Sequence, residues 1–264
     1  MNRPRPDAVL VGATASGKSA LALALAERDP AWELVTVDSM QVYRGMDIGT
    51  AKPTVAEQAA APHHLLDVLD PWEEASVAWF QAEARAVLRD IHERGKRALL
   101  VGGTGLWVQA VVDDLTIPGQ FPAVREELEV DPDTEALHRR LAELDPVAAG
   151  RMEPGNRRRI VRALEVTLGS GQPFSSFGPG LDAFPPTPFT LVGVAREADD
   201  LSARIEARYA TQLADGLLAE VERLVAHPNG LSRTAAQALG YKELLGHLDG
   251  DCTLGEAVAL AIQR

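Results

Sequence analysis

Gly12-Ala13-Thr14-Ala15-Ser16-Gly17-Lys18-Ser19 follows the apolar run Ala8-Val9-Leu10-Val11 and opens the alanine- and leucine-rich stretch from Lys18 to Glu27. The eight residues fit the pattern G-x-x-x-x-G-K-[ST] without a mismatch. Glycines let the backbone curl so that successive amide N–H groups face phosphate oxygens. Lys18 adds a mobile positive charge, the Ser19 hydroxyl can ligate Mg²⁺, and the following helix presents its positive dipole end. A short buried strand, a glycine loop and a helix are the start of an α/β fold. The motif specifies a polyphosphate, not which one.

The flanking sequence extends this pattern. Glu33 to Val37 reads as a second strand. Val77, Phe80, Ala84, Val87, Leu88 and Ile91 recur at helical spacing, which predicts an amphipathic helix from about 75 to 94, stopped by Gly95. Ala98 to Val101 is a third strand and runs into Gly102-Gly103-Thr104-Gly105. Strands alternating with helices imply a parallel sheet covered on both faces. After Leu115 the pattern changes to short charged helices with no convincing strand. Pro173, Pro179, Pro185, Pro186 and Pro188, with Gly169, Gly171, Gly178 and Gly180, mark loops at the far end of that stretch. A strand returns at Phe189 to Val194, followed by a long helix from about Asp199 to Ala226 and another from Arg233 to His247. The expected organisation is a P-loop α/β core in two parts, 1–115 and 187–264, interrupted by a mostly helical insertion, 116–186.

The chain has 264 residues, 46% apolar and 24% charged, enough to bury a core and unlike disordered or collagen-like sequences. No run of eighteen apolar residues is present, so no membrane span is expected. Met1-Asn2-Arg3-Pro4-Arg5-Pro6 leads into the first strand without a secretory pattern. The single cysteine, Cys252, excludes an internal disulfide framework and a cysteine-rich zinc site, and a cytoplasmic location is expected. A net charge of -12 argues against indiscriminate nucleic-acid binding. Between Arg139 and Arg162, however, seven arginines face three acids, Glu143, Asp145 and Glu153, a local excess of four positive charges.

An ordinary P-loop phosphoryl-transfer enzyme holds Mg²⁺ with a carboxylate at the end of another strand. The third strand here ends in glycines and threonine instead. The acid that does end a strand is Asp38, after Val35-Thr36-Val37. At that edge of a parallel sheet it could be a metal ligand, a general base facing a nucleophile, or an N-cap of the next segment.

Several further segments, taken in order, resemble a known family. They are the P-loop; Asp38-Ser39-Met40-Gln41-Val42-Tyr43-Arg44-Gly45-Met46-Asp47-Ile48-Gly49-Thr50-Ala51-Lys52-Pro53; Pro62-His63-His64-Leu65; Val101-Gly102-Gly103-Thr104-Gly105-Leu106; Asn156-Arg157-Arg158-Arg159-Ile160-Val161-Arg162-Ala163-Leu164-Glu165; and Gly240-Tyr241-Lys242-Glu243-Leu244. Together they resemble bacterial tRNA dimethylallyltransferases, which move a dimethylallyl group from dimethylallyl diphosphate to N6 of the adenosine at position 37 of certain tRNAs. That family usually continues beyond the equivalent of Arg264 into a basic, aromatic segment.

The resemblance implies that Gly12, Ala13, Thr14, Ala15, Ser16, Gly17, Lys18 and Ser19 bind the donor's diphosphate, with Ser19 on Mg²⁺. It implies that Asp38 is the base, helped by Thr14 and Arg208, with Arg204, one helical turn earlier, second to Arg208. Asp38, Ser39, Met40, Gln41 and Thr104 would line the pocket for the flipped base. Asn156, Arg157, Arg158, Arg159, Ile160, Tyr241 and Lys242 would contact the tRNA around its anticodon loop. A monomer is expected. His63-His64 lack metal-spaced partners, and Trp32, Trp72, Trp79 and Trp107 read as packing residues. The nearest rival is an isopentenyltransferase acting on free AMP; a small-molecule kinase and a pure RNA-binding module are farther.

Overall fold

Short Val- and Leu-rich runs pair into one five-stranded, fully parallel sheet. Its strands are β1 (Ala8–Gly12), β2 (Trp32–Val37), β3 (His63–His64), β4 (Arg97–Gly102) and β5 (Thr190–Val194), in the order β3-β2-β4-β1-β5. The fold is described from a computed structural model covering residues 6–178 and 183–263. Pro179 and Gly180, read above as loop markers, lie outside the described residues.

Alternate residues of each strand enter different cores, as the pleat requires. Val9, Val35, Val37, Ala98 and Leu100 face one side. There they meet Phe80, Ala84 and Ile91 of α3 (Val77–Glu93) and Trp107, Val108 and Val111 of α4 (Gly105–Val112). Leu10, Leu34 and Leu99 face the other side, against Ala22 and Ala26 of α1 (Lys18–Arg28) and Ala61, just after α2 (Val55–Ala60). Burying each valine or leucine side chain among these contributes roughly 1.5–3 kcal/mol. Ser76 caps α3 by accepting from the Trp79 N–H, and Thr54 with Glu57 forms a capping box on α2.

The chain divides into two compact units, one of Met1–Val112 with Thr187–Arg264, the other of Asp113–Pro186. The second unit contains α5 (Pro122–Val130), α6 (Thr134–Leu144), α7 (Pro146–Gly150) and α8 (Arg157–Ser170), and no strand among its described residues. Its helix starts are written in the sequence. Asp133, Asp145 and Asn156 cap α6, α7 and α8 with their side chains, and proline occupies the first turn of α5 and α7. Leu128, Leu137, Leu141, Ile160, Val161 and Leu164 form its core.

Two expected helices are broken by glycine. The long helix after β5 is α9 (Ala198–Ala214) and α10 (Leu217–Val225), separated at Gly216, whose φ of 100° is left-handed. The helix expected from 233 is a 3₁₀ turn at Ala235–Gln237, then α11 (Tyr241–Leu248) beginning after Gly240 at φ 85°. A further helix, α12 (Leu254–Gln263), closes the first unit's helical layer.

Candidate active site

Strand register assembles the site. Val11, Gly102 and Val37 lie in one row across β1, β4 and β2. The next residue of each strand therefore brings the P-loop, Gly103-Thr104 and Asp38 to one edge of the sheet. With strands about 4.8 Å apart, three chemically distinct segments fall within about 10 Å. Gly103 keeps the middle open: a Cβ there would stand 3.0 Å from the Gly12 carbonyl oxygen and 3.6 Å from Lys18 Nζ.

In the loop, Gly17 adopts φ 96° and no side chain caps α1. The first amides of that helix thus have no intrahelical partner and are available to an anion. Lys18 Nζ donates to the Ala13 carbonyl at 3.2 Å. Two arginines hold the loop from outside: Arg196 Nε donates to Ser16 O at 2.7 Å, and Arg204 Nε donates to Ala15 O at 2.9 Å. Ala15 itself sits at φ 61°, a left-handed conformation that needs such support. Sequence reasoning ranked Arg204 second to Arg208 as a cation for the diphosphate and did not find Arg196; neither loop contact follows from local spacing.

Lys18, Arg208 and Asp38 share one electrostatic neighbourhood. Burial lowers the Lys18 ammonium from its ordinary value, the Asp38 carboxylate pulls it back up, and Arg208 lowers it further. Burial likewise lowers Arg208, against the opposing pull of Tyr209 and Asp38. Two partly desolvated cations thus face a single carboxylate. Among the described residues, the buried Ser16 Oγ and Arg208 Nε have no hydrogen-bond partner. An unpaired buried polar atom costs about 1–3 kcal/mol, so both atoms favour an incoming acceptor. Thr14 and Ser19 are exposed in the loop and the first helical turn.

Asp38 Oδ1 accepts from the N–H groups of Met40 (2.8 Å) and Gln41 (3.3 Å). The carboxylate therefore caps the following turn. That bond pair engages Oδ1 alone; no hydrogen bond among the described residues engages Oδ2. Thr104 Oγ1 accepts from the Ser39 N–H at 3.5 Å and so links the β4 and β2 loops. Met40 packs against the main core. Gln41 Nε2 donates to the carbonyls of Thr50 (2.9 Å) and Ala51 (3.2 Å). This leaves Gln41 Oε1 as the group it can offer a ligand.

The structure separates the expected RNA-contact residues. Asn156 is the cap of α8. The Arg157 guanidinium donates to the carbonyls of Leu128, Glu129 and Asp131, the last at 2.6 Å, and so closes the C-terminal end of α5. Ile160 is fully buried in the second unit's core, where its side chain has no surface to offer. Arg162 is bound to Glu165 and to the Pro118 carbonyl. Arg158 and Arg159 are exposed. Tyr241, expected as an RNA contact, is also fully buried, and its hydroxyl donates to Glu220 Oε1; Lys242 beside it is exposed. For Ile160 and Tyr241 the side-chain contact is therefore corrected. Trp107 packs against Phe80 in a tilted arrangement inside the core, whereas Trp72 stacks on the His227 ring with centroids 4.3 Å apart.

Among the described residues no group of three or more His, Cys, Asp or Glu side chains could hold a metal, and no helix is long and apolar enough to cross a membrane. His64 instead pairs with Glu33, and His63 with the Ala61 carbonyl.

Comparison with known proteins places these features in a family. The family model described as IPP transferase matches residues 41–264, and one described as isopentenyl transferase matches residues 8–67. A protein of Kineococcus radiotolerans named tRNA dimethylallyltransferase is 50% identical, over 97% of this chain and 83% of its own length. One of the same name from Paenarthrobacter aurescens is 47% identical, over 96% and 82%. The full-length tRNA isopentenylpyrophosphate transferase of Bacillus halodurans superposes with a TM-score of 0.69 at 39% identity, over 98% of this chain and 82% of that one. A eukaryotic dimethylallyltransferase acting on tRNA superposes with a TM-score of 0.80 at 25% identity, over 98% and 66%.

Proposed function

The chain belongs to the IPP transferase family, and from that premise we propose that it transfers a dimethylallyl group from dimethylallyl diphosphate to N6 of the adenosine at position 37 of tRNA, beside the anticodon. The observation that carries the reading is the pairing of one strand-end carboxylate, Asp38, with two partly desolvated cations, Lys18 and Arg208, beside a P-loop. The donor's diphosphate supplies the anion those cations lack.

The exocyclic amine of adenine is a weak nucleophile, because its lone pair is delocalised into the ring. In the proposed step N6 attacks the first carbon of the dimethylallyl group while the bond from that carbon to diphosphate oxygen breaks. The N6 proton passes to Asp38 Oδ2, the oxygen not engaged by the Met40 and Gln41 amides. A positioned base of this kind accelerates by about 10² to 10⁴-fold. Negative charge grows on the leaving diphosphate, where Lys18, Arg208, the Thr14 hydroxyl and the first amides of α1 stabilise it; one such preorganised donor is worth about 3–4 kcal/mol.

Mg²⁺ fits as an ion that arrives with the diphosphate. The exposed Ser19 hydroxyl offers one protein oxygen, and magnesium commonly takes the rest from substrate phosphate and water. When bound, it neutralises part of the leaving group's charge. Met40, Gln41, Ser39 and Thr104 surround the acceptor base, which leaves the loop stack to reach Asp38; a single-stranded loop makes that inexpensive. The helical unit carries tRNA contacts through Arg158 and Arg159, and the enzyme works as a monomer.

The test is to incubate the protein with labelled dimethylallyl diphosphate and, separately, unmodified tRNA, AMP, or ATP with small alcohols. Label on a single tRNA adenosine supports the proposal. Label on AMP, or phosphate transfer from ATP, replaces it.

A further inference from the structure

The loop that follows Gln41 is held by a buried acid that the proposed reaction does not use. Glu220, on α10, is only 2% exposed. Its Oε2 accepts from the N–H groups of Asp47 and Ile48, each at 3.0 Å. Its Oε1 accepts from the N–H of Gly49 at 3.2 Å and from the Tyr241 hydroxyl at 2.5 Å. A carboxylate gathering three consecutive amides and a phenol is a strong anchor, because charge-assisted hydrogen bonds are roughly twice as strong as neutral ones. Gln212 completes the grip by donating to the Ile48 and Gly49 carbonyls at 2.5 and 3.2 Å. Lys52 ties the far end to the Tyr43 carbonyl, Asp47 and Asp67.

The loop needs this restraint. Ala51 is held at φ 50°, a left-handed conformation that costs a non-glycine residue about 1–3 kcal/mol unless its surroundings fix it. The Thr50 and Ala51 carbonyls are the two that accept from Gln41 Nε2. With both amide hydrogens of Gln41 committed there, its Oε1 faces a ligand as an acceptor only. The Gln41 backbone N–H also reaches Asp38 Oδ1 at 3.3 Å. The order of dependence is Glu220 and Tyr241, then the 47–51 backbone, then Gln41, then the neighbourhood of Asp38.

We infer that Glu220 and Tyr241 are positioning residues for the acceptor base, which fix Gln41 so that it reads a nucleobase edge bearing an N–H donor. The inference rests on the tRNA reading above. It gives Tyr241 a part in RNA recognition exerted through the loop, consistent with a side chain that is fully buried.

Binding separates this role from general support of the fold. Glu220→Gln puts an amide N–H against backbone N–H groups, and Tyr241→Phe removes one hydrogen bond while keeping the ring. Affinity is measured for an unmodified anticodon stem-loop RNA and, separately, for dimethylallyl diphosphate. The expected result is an RNA affinity reduced about tenfold in Glu220→Gln and about threefold in Tyr241→Phe, with the diphosphate affinity within about twofold of wild type. Tyr241→Phe should add nothing in a Gln41→Met background, since both act through one amide. If Glu220→Gln does not fold, Tyr241→Phe decides alone. Unchanged RNA affinity in a folded Tyr241→Phe protein, or equal loss of both ligands, overturns the inference. Wild-type protein that binds no stem-loop overturns the tRNA reading and the inference with it. Wild type that binds RNA and transfers the label, beside variants that behave like it, overturns the inference alone.

Discussion

Arg157, Arg158 and Arg159 are consecutive in sequence and should behave in two different ways. Arg158 and Arg159 are exposed, whereas Arg157 donates to three carbonyls at the end of α5. Each phosphate contact contributes roughly 0.7–0.9 to the slope of log affinity against log salt. Replacing Arg158 and Arg159 by alanine should therefore lower that slope by about 1.4–1.8. Between 50 and 200 mM salt, wild type should lose roughly tenfold more tRNA affinity than the double variant does. Arg157→Ala should leave the slope nearly unchanged. It should instead destabilise the helical unit by about 1–2 kcal/mol, since three carbonyls exchange a charged donor for water. The assay is a salt series of tRNA binding by anisotropy, paired with urea unfolding of each variant. A full contact's change in slope for Arg157→Ala, without loss of stability, would refute the division. An unchanged slope in the folded double variant would move the RNA face elsewhere, toward Lys242.

Three further outcomes follow from the same structure. Arg196→Ala and Arg204→Ala each release one P-loop carbonyl, and should weaken dimethylallyl diphosphate binding about tenfold while tRNA binding holds, as calorimetry with each ligand would show. Lys18 must be protonated to hold diphosphate, and its pKa lies below the ordinary 10.5; donor affinity should start to fall with rising pH earlier than a free lysine would dictate, and a flat pH profile in wild type would refute this. Burial raises the Asp145 carboxyl, but hydrogen bonds from the Ser175 and Ala148 amides and the Ser175 hydroxyl outweigh it and hold the pKa below 3.8. Its stabilising contribution is thus present above the unfolded pKa and lost as pH falls through the lower folded value. Asp145→Asn should cost about 2 kcal/mol at neutral pH, a difference that closes in acid.

Four of the five strands and the P-loop were legible because their signals are local, short apolar runs and a glycine pattern before a helix; β3, the two-residue His63–His64, carries no apolar run and was not read as a strand. Asp38 was legible because an acid ending a buried strand stands out. Its place beside the P-loop also followed from a parallel sheet, whose strand ends gather at one edge; that β4 lies between β1 and β2 was not readable from local sequence. Periodicity could have excluded Ile160: with Val161, Ala163 and Leu164 it makes the apolar stripe of α8. The break at Gly216 was also available, as Asp215-Gly216 is a turn signal inside an otherwise helical run. The roles of Arg157, Arg196 and Glu220 were beyond local reading. Each depends on backbone atoms of an element 26 or more residues away, and no spacing rule encodes which carbonyl or amide a long side chain will find. Tyr241 illustrates the same limit, since its motif does not say that its side chain is buried and donates to Glu220.

Asp38→Asn offers the most direct measurement of the central claim, that one strand-end carboxylate takes the N6 proton while the P-loop holds the leaving diphosphate. The amide keeps the acceptor that the Met40 and Gln41 N–H groups use, so the turn and the pocket should survive. Single-turnover transfer to tRNA should fall by about 10² to 10⁴-fold. Equilibrium affinities for dimethylallyl diphosphate and for tRNA, measured on the same preparation, should stay within about threefold of wild type, given that asparagine preserves the shape of the cap. Near-normal transfer by the variant, or loss of both affinities in parallel with rate, would contradict the assignment of Asp38 as the base.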